Sequence, residues 1–283
     1  MKRENYLKIY NRVVEKISKE NMISYEEIEE GLEYLREKEP IKKDIYSNAE
    51  EISELYALRW GILGMIFGQD DIEENKYNVV YCSLITNIAN SCLSIIELAK
   101  LGYSFQVNIL MRNLCETCFL LLTLLIDKEK CKKYLNSPKE GDEYEIWSKE
   151  FRFKKLNECL EKYENTFLNT NNDKFLPKWR RELYSFYSGF MHNDFFKCYI
   201  KSYSNNNEFY HYNVWGLYNN DVKLNLESLN YLMWVVDKFF MNIISNKKII
   251  DIEILINKNM RSQWNDTSAL FFIINELYDE DLK

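Results

Sequence analysis

Four residues share a spacing that could bind an anion and move a proton. Arg181, Ser185, Ser188 and His192 fall at i, i+4, i+7 and i+11, which on a helix is one polar stripe. It lies among Tyr184, Phe186, Phe190, Met191, Phe195 and Phe196. His192 is one of only two histidines, and Asn193 and Asp194 follow it. An imidazole acts as general acid or base near neutral pH. A guanidinium stabilises the charge of a phosphorane-like transition state. Arg181 and His192 are therefore candidate catalytic residues for metal-free RNA cleavage, in which the 2′-hydroxyl attacks the adjacent phosphate. Ser185, Ser188 and Asn193 are candidate binding residues. The alternative is a histidine hydrogen-bonded within a helix interface.

Arg112 and Glu116 form a second candidate, one turn apart on a helix and set among Leu110, Met111, Leu114, Cys115, Phe119 and Leu120. A charge in such surroundings needs a partner, because desolvating it costs several kcal/mol. The pair reads either as a salt bridge fixing helix register or as a pocket in which Arg112 binds an anion and Glu116 orients it. A third group is basic and aromatic: Lys149, Phe151, Arg152, Phe153, Lys154 and Lys155, with Lys178, Arg180 and Arg181 later. It suits a single strand or simply a solvated helix face, since Glu150, Glu158 and Glu161 dilute it. Cys115-x-x-Cys118 has no second ligand pair at zinc spacing and lies in an apolar helical run, so it reads as core. His211, in Phe-Tyr-His-Tyr, has no ligand-type neighbour. No metal site and no cofactor are expected.

The elements that must position these residues are helical. Gly is 8 and Pro 3 of 283 residues, too few for a turn-rich fold, and no Gly-rich phosphate loop occurs. Ser24 with Glu27 and Ser47 with Glu50 are capping boxes. Residues 77–101 and 105–126 predict two long helices joined at Gly102, a C-cap, and so an antiparallel hairpin. Residues 136–142 and 166–174 read as loops, 143–165 as a helix between them, and 177–203 as the helix of the stripe. Residues 209–220 are aromatic and irregular, with room for a short turn or hairpin. Helices follow over 221–245, 249–264 and 267–278. The expected fold is all-α, a multi-helix bundle around the apolar hairpin at about 77–126. The less apolar residues 1–70 read as an N-terminal helical subdomain and 71–283 as the main bundle, or the two as one continuous domain.

Composition narrows the function classes. With 46% hydrophobic and 29% charged residues the chain is expected to fold. The net charge of -7 argues against a globally basic nucleic-acid binder, DNA included. No apolar leader follows Met-Lys-Arg-Glu-Asn-Tyr. The helical run at 77–96 holds seven Asn, Ser and Thr. The expected setting is cytoplasmic, with no membrane partner and reduced thiols.

The run Asn108-Ile-Leu-Met-Arg-Asn-Leu-Cys-Glu116, followed by Tyr187-Ser-Gly-Phe-Met-His192, resembles a family of bacterial helical proteins of unknown function with Arg-x-x-x-Glu and Ser-x-x-x-His helices, distantly similar to the HEPN superfamily. The resemblance covers about residues 75–245. It implies a metal-independent ribonuclease or RNA-binding protein of a stress or phage-defence system, and a homodimer. In the HEPN signature a His follows the Arg by four to six residues, and no pair in this chain has that spacing. A non-enzymatic interaction module and a sensor of a small anionic ligand are the other readings.

Overall fold

The computed structural model describes residues 3–16, 24–36, 48–68, 76–140, 143–168, 174–194, 203–206, 209–212, 220–247, 249 and 258–281. The fold is all-α, with one small hairpin of strands. Its first helices are α1 (Arg3–Lys16), α2 (Tyr25–Arg36) and α3 (Asn48–Phe67). The capping box forms before α2: the Ser24 N–H donates to Glu27 Oε2 at 2.7 Å, and the Glu27 N–H to Ser24 Oγ at 3.1 Å. Ser47, of the second box, lies outside the described residues.

The centre is the expected hairpin of α4 (Lys76–Lys100) and α5 (Ser104–Ile126). Gly102, at φ 76°, closes α4. Its N–H reaches the Ala99 carbonyl at 2.8 Å and the Tyr103 N–H the Leu98 carbonyl at 2.9 Å, a Schellman motif. A side chain at that φ would be strained, so glycine permits the tight joint. Both helices are long and apolar enough to cross a membrane by length and composition, and both are mostly buried by their neighbours.

After α5 come α6 (Lys128–Glu140), a short α7 (Glu143–Ile146) that runs into a π-turn (Trp147–Phe151), α8 (Phe153–Phe167) and α9 (Phe175–Met191). The strands β1 (Tyr203–Asn206) and β2 (Phe209–Tyr212) pair antiparallel, with His211 opposite Ser204. The chain ends in α10 (Asn220–Ser245), a 3-10 turn (Lys258–Met260) and α11 (Arg261–Asp281). Helices α4, α6, α8, α9 and α10 surround α5, which accounts for its apolar faces.

Four sequence expectations need correction. The loop expected at 136–142 is helical to Glu140. Pro138 stands in the last turn, where it removes only one helical bond. The helix expected over 143–165 breaks at Arg152, whose ψ of 145° is extended. The break buries Phe151 against Tyr134, with ring centroids 5.4 Å apart. The stripe helix stops at Met191 instead of running to 203. The helices expected at 249–264 and 267–278 are replaced from Arg261 by one continuous helix, because the Thr267 hydroxyl bonds the Trp264 carbonyl of its own helix instead of capping a new one.

The division expected near residue 70 lies outside the described residues. On its N-terminal side α3 packs along α4, α10 and α11. Gly64 gives the close approach: a Cβ there would stand 3.1 Å from Thr86 Oγ1 of α4. Arg59 of α3, fully buried, grips Asp237 of α10 through Nε–Oδ2 at 2.8 Å and Nη2–Oδ1 at 2.9 Å, and donates through Nη1 to the Thr267 carbonyl of α11.

Candidate functional site

Arg112 meets α9 in the first half of the hairpin's second helix. Its Nε donates to Ser188 Oγ at 2.9 Å. That hydroxyl in turn donates to the Tyr184 carbonyl at 2.7 Å, so its position is fixed. The guanidinium carbon sits over the Tyr184 ring, 3.4 Å from its centroid. On the other helix beside α9, Phe153 of α8 stacks with Tyr184 at 3.9 Å and 22°. Three helices thus contribute one layer each to a Phe153–Tyr184–Arg112 ladder. A planar cation on an aromatic face is held at little entropic cost, which a lysine would not match.

Glu116 completes the group. Its Oε1 is 2.8 Å from Arg112 Nη1 and 3.5 Å from the Tyr184 hydroxyl. The Nη1 contact is off the N–H direction, so it is an ion pair without an aligned hydrogen bond. Burial raises the Tyr184 hydroxyl above its usual range; the Arg112 charge opposes this and Glu116 adds to it. Arg112 is 9% exposed. Its Nη2 and Glu116 Oε2 make no hydrogen bond with any described residue.

The stripe on α9 is real as a face, but its members differ in use. Ser188 is half-buried against Arg112, whereas Arg181, Ser185 and His192 are exposed. Neither Arg181 nor the His192 imidazole makes a hydrogen bond or ion pair with the described residues. His192 is the C-cap residue, one turn beyond Ser188. Asn193 takes φ 50°, its N–H bonding the Phe190 carbonyl at 3.2 Å and the Asp194 N–H the Gly189 carbonyl at 2.9 Å. That is a second Schellman motif with Asn in the left-handed position, and it is why α9 ends there. Asn193 is therefore placed as a helix stop. Arg181 and His192 are three turns apart, about 16 Å along the axis, so within one chain they do not meet one phosphate. The cation that α9 holds at Ser188, one turn before His192, is Arg112.

The basic and aromatic group divides. Arg180 is buried, with both carboxylate oxygens of Glu164 on its guanidinium and Nε donating to Asn157 at 2.6 Å. Lys149, Lys155 and Lys178 pair with Glu145, Glu158 and Glu182. Arg152 and Lys154, on either side of Phe153, are exposed and have no ion pair among the described residues. Cys115 and Cys118 are buried free thiols, raised by desolvation. Among the described residues no group of three His, Cys, Asp or Glu could hold a metal ion.

The spacing of Arg112 and Glu116 was legible in the sequence. The stacking partner Tyr184 was not; its only signal is that it lies one turn before Ser188. The buried pairs Arg59–Asp237 and Arg180–Glu164 carried no local signal, because the partners are far apart in sequence or read as surface charge. No curated protein and no solved structure matches the chain. A family model does match over residues 78–230, a span that holds both the Arg112 helix and the His192 helix and more than half of the chain. The protein belongs to the family of unknown function DUF5677.

Proposed function

We propose that this protein is a HEPN-like RNA-binding protein that cleaves RNA without a metal, using Arg112 to hold a phosphate and His192 to transfer a proton. The observation that carries the reading is the Arg112 guanidinium, fixed on Tyr184 by Ser188 and Glu116 with Nη2 bonded to no described residue, where Ser188 itself lies one helical turn before His192, an imidazole with no bonded partner among the described residues. A preoriented donor beside a developing phosphorane charge needs no reorganisation during reaction. The net charge of -7 opposes nonspecific binding, so attraction must be local. Arg152 and Lys154, exposed on either side of Phe153, and Arg181, exposed three residues before Tyr184, supply it, Arg181 as a contact to a neighbouring phosphate and not to the reacting one. DNA lacks the attacking 2′-hydroxyl and is not a substrate. A cytoplasmic setting, a homodimer and a role in stress or phage defence belong to the same proposal.

The test is incubation of purified protein with total RNA and tRNA, with and without EDTA, beside His192→Ala. Cleavage by wild type in both conditions, lost in a variant of unchanged melting temperature, is the expected result. A folded wild-type protein that neither cuts nor retards RNA would overturn the reading and leave the interaction module in its place.

A further inference from the structure

We infer that Glu116 is the general base and His192 the general acid of the cleavage, a division of labour that rests on the RNA-cleaving reading above. The guanidinium is a planar fork with two donor edges. Nη2 shares one edge of the planar fork with Nε and the other with Nη1. Nε is taken by Ser188 at 2.9 Å and Nη1 faces Glu116 at 2.8 Å. A phosphate oxygen held on Nη2 would lie next to Glu116, which follows Arg112 by one turn on α5, and next to Ser188, which precedes His192 by one turn on α9. In-line displacement at phosphorus needs a base and an acid on opposite sides of the phosphate, where the attacking and leaving oxygens stand, and the two helices supply one each.

Glu116 is also held as a base should be. Oε1 is anchored between Arg112 and Tyr184, and Oε2 is bonded to no described residue. Its side chain is 32% exposed, open to a substrate hydroxyl. In the step, Oε2 takes the 2′-hydroxyl proton while the 2′-oxygen forms its bond to phosphorus. The bond from phosphorus to the 5′-oxygen breaks, and that oxygen takes the proton of the His192 imidazolium. The products are a 2′,3′-cyclic phosphate and a 5′-hydroxyl, and water returns both residues to their starting protonation. The charged and titratable groups facing Glu116 are Arg112 and Tyr184, with the Cys115 thiol buried behind them. The His192 imidazole makes no ion pair with a described residue.

A pair of substrates separates the roles. An RNA dinucleotide has a poor leaving group and needs the acid. Uridine 3′-(p-nitrophenyl phosphate) has a good one and does not. Glu116→Gln keeps a neutral hydrogen-bonding group at the same place. It should slow both substrates about 100-fold or more, with RNA affinity within a few-fold of wild type. His192→Ala should lose the dinucleotide reaction and keep near wild-type turnover of the p-nitrophenyl ester. Glu116→Gln cutting both substrates at wild-type rate, or the reverse dependence on leaving group, would overturn the assignment while the ribonuclease reading stands. A wild-type protein that releases cyclic phosphate from neither substrate removes both.

Discussion

Replacing Asp237 by leucine tests whether the N-terminal helices share the core that carries the site. Arg59 and Asp237 come from residues 178 positions apart and are all but sealed from solvent, with side-chain exposures of 0% and 2%. Two well-aligned bonds at 2.8 and 2.9 Å join them, and the remaining guanidinium nitrogen serves the Thr267 carbonyl. Asp237→Leu leaves the guanidinium charged, buried and without its counter-ion. Breaking such a pair costs about 3–5 kcal/mol. At roughly 2–4 °C per kcal/mol for a large domain, the melting temperature should fall by about 10 °C. Arg59→Met added to Asp237→Leu removes both charges from an apolar surrounding. It should return stability to within about 1 kcal/mol of wild type, the residual being the Thr267 carbonyl's lost donor. Urea unfolding followed by circular dichroism at 25 °C, on the two single variants and the double, gives the coupling energy directly. A loss below about 1 kcal/mol for Asp237→Leu, or a double variant worse than either single one, would refute the reasoning. By the same logic a chain starting at residue 71 lacks both Arg59 and the buried Trp60, and should not fold alone.

Burial and the Glu27 carboxylate push Asp266 up to about 6. Its protonated form is favoured by folding, so the penalty is absent below about pH 4, grows between pH 4 and 6 and is complete above. Asp266→Asn should therefore stabilise the protein at pH 7 by about 1 kcal/mol, allowing for solvent screening, and change nothing at pH 4; equal effects at both pH values would contradict this. Asn193→Gly should hold or raise thermal stability, by at most about 1 kcal/mol, because glycine takes φ 50° freely, and should leave RNA cleavage intact. Loss of cleavage with unchanged stability would make Asn193 a contact instead of a helix stop. Cys115 and Cys118 should resist iodoacetamide at pH 8 in the native protein and react once it is unfolded, as mapped by mass spectrometry; prompt labelling of either would restore a redox reading of Cys-x-x-Cys.

Local signals explain which elements could be read in advance. The Ser24–Glu27 box and Gly102 act within a few residues of themselves, so their helix ends were legible. The stop at Asn193 was local too, yet Asn is only an occasional left-handed residue, and the aromatic run beyond it continued the helical pattern. The break at Arg152 depends on what Phe151 and Phe153 find in space, Tyr134 and Tyr184.

By itself the sequence determined an all-α chain built around an apolar hairpin, because scarce Gly and Pro and helical periodicity are properties of neighbouring residues. It also placed Arg112 with Glu116 and Ser188 with His192, since each pair is one helical turn apart. Tertiary structure alone decided that Arg112 meets Ser188 across two helices, that its guanidinium packs on Tyr184, and that Arg180 is a buried structural arginine. Those outcomes depend on which helix faces which, and that is fixed by side-chain packing between segments tens of residues apart.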